Sequence, residues 1–291
     1  MATCTAKHHR WGHSITYAAN IQMTQAAPIV PRAKGALRLS AKRRGDESVI
    51  ADLRQEGSLK ALFPQVRGAA LDAVFLNTAG GLTGGDKMTI DVDAQPGAHV
   101  VLSSQAAERA YRAQPGQIAQ SSVTLNIADK GRIDWLPQET ILFDQASLAR
   151  RMHVHMTGTA SALVVEPIIF GRVAMGETVE TVHFTDQWRI WRDEKLVFAD
   201  AIRLIGNAKN ILARRAIAHG AGAMATVLFV GDQAESLARL GALDAKSGAS
   251  LIADDVLLVR LLAKDGFALR CQLIPIVEAL STAPIPRVWR L

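Results

Sequence analysis

The chain has few cysteines, few aromatic residues and no long apolar run. Its two cysteines, Cys4 and Cys271, lie at opposite ends of 291 residues, which excludes a disulfide-stabilised scaffold and is typical of a reducing compartment. Aromatic residues make up 5% of the sequence, so the core must be mostly aliphatic. No apolar run reaches the roughly 18 residues of a membrane span, and the N-terminus lacks the apolar segment of a secretory signal. We therefore expect a cytoplasmic protein with no membrane partner.

Basic residues outnumber acidic ones, and the excess lies in the N-terminal quarter of the chain. Residues 1–70 contain 11 Lys and Arg against 4 Asp and Glu, while the whole chain has a formal net charge of +6. The basic residues are scattered among predicted strands without interleaved aromatic side chains, which is not the pattern of a nucleic-acid interface. We therefore expect no nucleic-acid partner.

The apolar periodicity predicts a mainly β protein. Residues 1–27, which include His8, His9 and His13, lack a sustained apolar pattern and are interpreted as a flexible tail. Residues 28–291 are interpreted as a single domain. Strand patterns recur roughly every 8–12 residues, which favours an all-β architecture over βαβ units. The periodicity does not distinguish a sandwich from a stack of β-coils.

Helical signals are few. A first helix is predicted over Ser104–Arg112 and a second over Asp232–Leu243, where an Asp cap precedes leucines at helical spacing. A short third helix is predicted over Pro275–Leu280. Two apolar segments, Val256–Ala263 and Phe267–Ile274, are joined by Lys-Asp-Gly and predict a C-terminal β-hairpin.

The segment Leu76–Asp86 (LNTAGGLTGGD) contains two glycine pairs between two predicted strands. Glycine pairs indicate backbone with positive φ or a close approach to another part of the structure. Three explanations are open: a phosphate cradle, a packed β-corner, or a surface that another chain's backbone approaches. Asp86 would repel a phosphate, and the segment leads into a strand rather than a helix, so the phosphate cradle is disfavoured.

Several motifs together resemble one known family. The Leu76–Asp86 segment is similar to a signature of the urease accessory proteins called UreD (UreH in some organisms). Other segments follow the family pattern in order between about residues 35 and 205, although Arg109 stands where the family usually has lysine. These segments are 57–64 (GSLKALFP), 103–111 (SSQAAERAY), 135–144 (WLPQETILFD) and 166–177 (EPIIFGRVAMGE).

The resemblance implies a fold and a role. The implied fold is an elongated, β-helix-like stack of short strands with two or three helices attached. The implied role is non-enzymatic: a maturation factor that binds the urease apoprotein and the accessory protein UreF, and through UreF the GTPase UreG, whose GTP hydrolysis drives nickel insertion. No tightly bound cofactor is expected, and nickel would bind only transiently.

Five carboxylates adjoin apolar, glycine-containing or proline-containing motifs, where an unpaired charge would be costly. They have two interpretations: structural ion pairs, with Arg109, Arg112 and Arg172 as obvious partners, or weak oxygen ligands along an internal path for nickel. The first three below are the main candidates for the nickel path and the last two are weaker candidates. The residues are Asp86, Glu139, Glu177, Glu166 and Asp144.

Two other interpretations involve known site chemistry. A carbohydrate-active β-helix enzyme could use two of Asp86, Glu139 and Glu177 as an acid/base pair, although few aromatic residues are available to stack on sugars. His153 and His155 lie two apart on a predicted strand and therefore share a face. They could bind a metal ion or simply belong to an exposed polar surface next to Arg150 and Arg151.

Overall fold

A computed structural model describes residues 31–64, 68–172, 175–232 and 240–290. The predicted tail, residues 1–27, lies outside the described residues. The described part contains two helices, α1 (Ala208–Ala213) and α2 (Gly266–Leu280). Its strands are β1 (Lys34–Arg44), β2 (Glu47–Gly57), β3 (Leu59–Leu62), β4 (Leu71–Asn77), β5 (Lys87–Ala94), β6 (His99–Ser104), β7 (Glu108–Ala110), β8 (Ala119–Ile127), β9 (Arg132–Leu136), β10 (Thr140–Leu142), β11 (Ser147–Met156), β12 (Ser161–Phe170), β13 (Thr181–Arg192), β14 (Lys195–Asn207), β15 (Ala223–Val230), β16 (Gly248–Ala253) and β17 (Val256–Ala263).

The chain winds as a β-solenoid of about four turns, which confirms the predicted β-helix-like stack. Strands alternate between two sheets, so that β5, β8 and β11 lie in one sheet and the next strands, β6, β9 and β12, lie in the other. The first sheet has the order β14-β13-β11-β8-β5-β1-β2, and the second has the order β16-β17-β15-β12-β9-β6-β4-β3. The central pairs are parallel in both sheets, because each turn advances the chain by one strand in the same direction.

A third, short ladder closes one side of the coil. In this corner ladder β7 pairs in parallel with β10, and β10 pairs with the end of β12. Leu82 joins it through an isolated parallel bridge to Ala110. The segments that return from the second sheet to the first therefore form backbone hydrogen bonds with one another. Buried N–H and C=O groups need such partners.

Alternation of side chains explains the main core. In β11 the residues Leu148, Met152 and Val154 are buried in the space between the sheets, whereas Arg151 on the same strand is exposed. The period of two places one face of each strand inward, and the aliphatic residues of successive turns stack there. The core is mostly aliphatic, as the composition predicts.

The second sheet is covered on its other face as well. Helix α2 buries Leu269, Leu273 and Val277 against that face in a second cluster, and the indole of Trp289 donates to the carbonyl of Leu136 at 2.9 Å. Strand β12 is consequently buried along nearly its whole length. This burial explains why apolar residues lie on both sides of Glu166 in this strand.

The predicted helix Ser104–Arg112 is wrong. Strand β6 ends at Ser104 and the short strand β7 begins at Glu108. The amide of Glu108 donates to the carbonyl of Glu139 at 2.9 Å, and Tyr111 donates to Leu82 at 2.8 Å. Pairing with neighbouring turns of the coil therefore overrides the local helical pattern.

The predicted C-terminal hairpin is also wrong in its second half. Val256–Ala263 is a strand, but helix α2 begins at Gly266, because the Asp265 side chain caps it by accepting from the amide of Ala268 at 2.8 Å. The predicted helix Pro275–Leu280 is the last part of this longer helix.

The predicted helix over 232–243 falls mostly on residues 233–239, outside the described residues, and helix α1 was not predicted. In the described part of the chain, neither helix is long and apolar enough to cross a membrane.

Candidate functional site: a polar cavity between the sheets

The glycine pairs form a packed β-corner, the second of the three explanations. The amide of Leu82 donates to the carbonyl of Arg109 at 2.7 Å, which fixes the segment to the next turn of the coil. Gly81 has a φ of 151°, and a Cβ there would overlap the ring of Tyr111 and lie 2.7 Å from the Arg109 carbonyl oxygen. Gly84 has no positive φ, but a Cβ there would lie 2.7 Å from the Gln117 carbonyl oxygen. Close backbone packing thus explains both glycines.

Asp86 holds this corner closed. Its two carboxylate oxygens accept from the amides of Ala33 and Thr83, each at 2.8 Å, and its side chain is buried. Both oxygens therefore satisfy backbone donors of the corner itself, which explains why an acidic residue ends the glycine segment.

A cavity of about 310 Å³ lies between the two sheets beside this corner. Most of its wall is apolar and comes from the main core, with residues such as Leu82, Ile90, Val123 and Trp188. Its charged residues come from four different strands, β7, β11, β12 and β13, which the coil brings together. They are Glu108, Arg150, Glu166 and Asp186, together with Arg109 beside the corner.

Arg150 is paired with two buried carboxylates inside the cavity. Its Nη1 lies 2.5 Å from Glu166 Oε2, and its Nη2 lies 2.5 Å from Asp186 Oδ2. Arg150 Nη1 also donates to the hydroxyl of Thr140 at 2.9 Å, and the indole of Trp135 donates to Glu166 at 2.8 Å. With both carboxylates ionised the group has one negative charge in excess, and its burial weakens the screening of that charge by solvent.

Burial and the neighbouring charges change the acidity of Glu166. Burial raises the pKa of Glu166, the positive charge of Arg150 opposes this, and repulsion from Asp186 adds to it, so that the net pKa is raised. A carboxyl group with a raised pKa holds its proton more tightly, so a cation that binds Glu166 has to compete with that proton.

Glu108 is a second carboxyl group in the cavity wall whose pKa is shifted. Burial raises its pKa to about 7, although hydrogen bonding from Asn77 acts in the opposite direction. The Asn77 amide nitrogen lies 3.3 Å from each carboxylate oxygen. Glu108 begins β7 beside the glycine corner, so this titratable carboxyl group lies where the cavity meets the corner ladder.

Glu139 lies under helix α2 rather than in the cavity wall. Its Oε1 is 3.0 Å from Arg270 Nη1, which also donates to the side chain of Gln138 at 2.8 Å. This ion pair joins the loop after β9 to helix α2. Arg270 is too distant in sequence for the pattern around Glu139 to have predicted it as the partner.

Glu177 and Asp144 lie next to each other at the end of the corner ladder. Glu177 Oε2 is 2.9 Å from Arg172 Nε, and its Oε1 accepts from the amide of Asp144 at 3.4 Å. Asp144 accepts from the amides of Glu180 and Thr181 at 2.9 and 3.0 Å. The hydrogen bond from Arg172 lowers the pKa of Glu177. Both carboxylates thus hold local backbone in place.

The coil therefore separates the five predicted carboxylates. Glu166 lines the cavity, Asp86 closes the corner, Glu139 binds helix α2, and only Glu177 and Asp144 are neighbours. No group of three or more His, Cys, Asp or Glu side chains with metal-binding geometry occurs among the described residues. Asp86, Glu139 and Glu177 have different partners on different elements, so this geometry gives no support to an acid/base pair.

Sequence reasoning missed the residues that complete the cavity. Arg150 and Asp186 occupy positions that alternation assigns to apolar side chains, between Leu148 and Met152 in one strand and between Phe184 and Trp188 in the other. A charge at an inward position of an alternating strand is the signal that could have identified them. Glu108 carried no comparable signal, because its segment was interpreted as a helix.

Comparison with known proteins agrees with the motif pattern. The family model described as UreD urease accessory protein matches residues 33–290. A protein of Ruegeria pomeroyi named urease accessory protein UreD is 45% identical over 257 residues, which cover 88% of this chain and 100% of the relative. A protein of Rhizobium leguminosarum bv. viciae with the same name is 43% identical, with 92% of this chain and 99% of the relative covered. The chain therefore belongs to the UreD family of urease accessory proteins.

Proposed function

We propose that the chain is a non-enzymatic maturation factor that helps to load nickel into urease. The observation that supports this most strongly is the 45% identity, over the full length of the relative, to a protein named for that accessory role. The fold is compatible with it, because a rigid coil offers separate surfaces to separate partners.

In this proposal the chain works in the cytoplasm as a scaffold. One surface binds the urease apoprotein and another binds UreF, through which the GTPase UreG joins the complex. Hydrolysis of GTP by UreG then drives the insertion of nickel. The chain itself holds no resident cofactor, and nickel is its cargo.

The cavity between the sheets is the proposed route of the ion through this chain. Glu166 and Asp186 share one guanidinium, so with both carboxylates ionised one negative charge is left to attract a divalent cation, and an ion bound by Glu166 takes the place of the proton that this group otherwise holds. Carboxylate oxygens bind borderline ions such as Ni²⁺ less tightly than thiolates do, and a route has to release what it binds. This passage of nickel through the cavity is the central claim of the proposal.

A role of Glu139 or Glu177 in nickel transit requires that the ion displace an arginine partner. A role of Asp86 requires that the ion displace two backbone amides. Neutral substitutions distinguish a role in nickel transit from a structural role. If Glu139→Gln or Glu177→Gln lowers the melting temperature while nickel loading of urease is unchanged, the carboxylate is structural. If the complex stays stable and nickel per urease active site falls, the carboxylate lies on the route. Asp86→Asn is tested in the same way.

The function itself is tested by urease produced with and without this chain, in cells that supply urease subunits, UreF and UreG. We expect urease made without the chain to be intact, low in nickel and almost inactive. Restoring the chain should restore both nickel content and activity, and antibodies against the chain should co-precipitate UreF and urease. Full nickel occupancy of urease made without the chain would contradict the proposed function.

A further inference from the structure

The outer face of the first sheet presents a pair of histidines that the proposed nickel route does not use. His153 and His155 alternate on β11 with the fully buried Val154, so both imidazoles point away from the core and are exposed. They lie on a central strand, with β8 on one side and β13 on the other. Their backbone is therefore held in register on both sides.

The indole of Trp191 on β13 orders the two imidazoles. The ring of His155 stacks on that indole with centroids 4.6 Å apart and an angle of 2° between the planes. The ring of His153 meets the same indole edge-on at 5.3 Å, and the two imidazole centroids lie 6.4 Å apart. Three rings that contact one another lose fewer rotamers on binding a ligand than free surface histidines do.

We propose that His153 and His155 form a surface binding site for one divalent transition-metal ion, such as Ni²⁺, Cu²⁺ or Zn²⁺. A metal–nitrogen bond is about 2.0–2.1 Å long, so the centroids of two imidazoles on one tetrahedral ion lie about 5 Å apart. The observed 6.4 Å therefore has to shorten by rotation of the two side chains when an ion binds. Imidazole nitrogen selects these ions over Mg²⁺ and Ca²⁺, which prefer oxygen ligands.

Polar side chains on neighbouring strands share the outer face with the histidine pair. Asn126 on β8 is the neighbour of His155 in the register, and it donates to the carboxylate of Asp93 on β5, one strand further away, at 2.7 Å. The Asn126 side chain is therefore the oxygen-bearing group next to the histidine pair.

Two arginines on the same face repel a cation and therefore reduce the affinity of the site for a metal ion. Arg151 precedes the pair on β11, and Arg189 is the β13 neighbour of His153 in the register. The Arg189 guanidinium donates to the carbonyls of Trp188 at 2.8 Å and Asp200 at 3.4 Å, which keeps it engaged with backbone. We therefore infer a reversible site for one ion rather than a permanent metal centre. The inference does not depend on the proposed role in urease maturation.

The test is titration of the full-length chain with Ni²⁺ alone, in a background in which His8, His9 and His13 are replaced by alanine. Calorimetry measures the dissociation constant and the stoichiometry, and tryptophan fluorescence reports quenching of Trp191 by the bound ion. We expect His153→Ala and His155→Ala each to weaken one binding event by at least tenfold and to abolish that quenching. Trp191→Phe should retain binding and lose the quenching.

His183→Ala is the matched control, because His183 also faces outward on the first sheet but has no histidine two residues away. It should leave the titration unchanged. Three results would overturn the proposal: no nickel binding by the background chain, equal affinities of His153→Ala and His183→Ala, or loss of binding in only one of the two histidine variants. Melting temperatures of all variants exclude unfolding as the cause, and an asparagine at either histidine position replaces any alanine variant that unfolds.

Discussion

The buried guanidinium of Arg150 shows how one residue can determine the interior of this coil. It is the shared partner of Glu166 and Asp186, and removing it would leave two carboxylates facing each other without a counter-charge. We expect Arg150→Met to lower the free energy of unfolding by about 3–5 kcal/mol, the usual cost of breaking a buried ion pair from one side. Urea denaturation measures this.

Arg151 is the matched control for Arg150, since it follows in the same strand but is exposed on the outer face. We expect Arg151→Met to change the free energy of unfolding by no more than about 0.5 kcal/mol. Equal effects of the two substitutions would mean that the buried ion pairs do not hold the cavity together.

Glu108 makes stability depend on pH near neutrality. Its pKa is raised to about 7 from 4.5, so the folded state binds the proton more tightly than the unfolded state. The stability gained from this proton is complete below about pH 4.5 and is lost as the pH rises through about 7. Over this range the free energy of unfolding changes by at most ~1.4 kcal/mol per pH unit. Glu108→Gln should remove this part of the pH dependence and make the protein relatively more stable at pH 8.

Denaturation curves of the Glu108→Gln variant and the unmodified chain at pH 5, 6, 7 and 8 test this. The exposed Glu47 supplies a control, because Glu47→Gln should leave the pH profile unchanged. Parallel profiles of the unmodified chain and Glu108→Gln would show that Glu108 does not titrate in this range in the folded protein.

Among the elements, the corner ladder depends most on residue size. At Gly81 a side chain would meet both an unfavourable φ of 151° and the Arg109 carbonyl oxygen at 2.7 Å, whereas at Gly80 the φ is 78° but nothing lies within 4 Å. We expect Gly81→Ala to cost about 1–3 kcal/mol more than Gly80→Ala, because only the former also displaces the ladder. Urea denaturation of the two variants measures the difference, and equal costs would show that backbone conformation alone requires glycine here.

Both wrongly predicted elements lie where the local sequence fits two kinds of secondary structure. The sequence after Ser104 has a helical pattern, but pairing with Leu82 and Thr140 on neighbouring turns makes it a strand. Conversely, Lys264-Asp-Gly266 resembles a hairpin turn, although Asp265 caps helix α2. In both places a partner distant in sequence, or a single capping bond, decides between two patterns that are locally similar.

At the scale of the whole molecule, the strands and the family could be predicted from the sequence. Alternation in segments such as Met88–Val92 and Met152–Met156 marks one face of each strand, and that pattern depends only on the chain itself. The cavity could not be predicted in the same way, because Arg150, Glu166 and Asp186 meet only when β11 and β13 pair in the first sheet and β12 of the second sheet faces them. The motifs predict five candidate carboxylates, and of these only Glu166 lies in the cavity wall.

The passage of nickel through the cavity is tested most directly by blocking it. Ser121 lines the cavity, and its neighbour Ser122 is exposed on the outer face, so Ser121→Phe and Ser122→Phe make the same change inside and outside. Both variants should fold and co-purify with UreF and urease. The measurement is nickel per urease active site in urease matured with each variant. We predict that this value is several-fold lower with Ser121→Phe and normal with Ser122→Phe. If Ser121→Phe is stably folded and urease matured with either variant is fully and equally occupied by nickel, the account is contradicted.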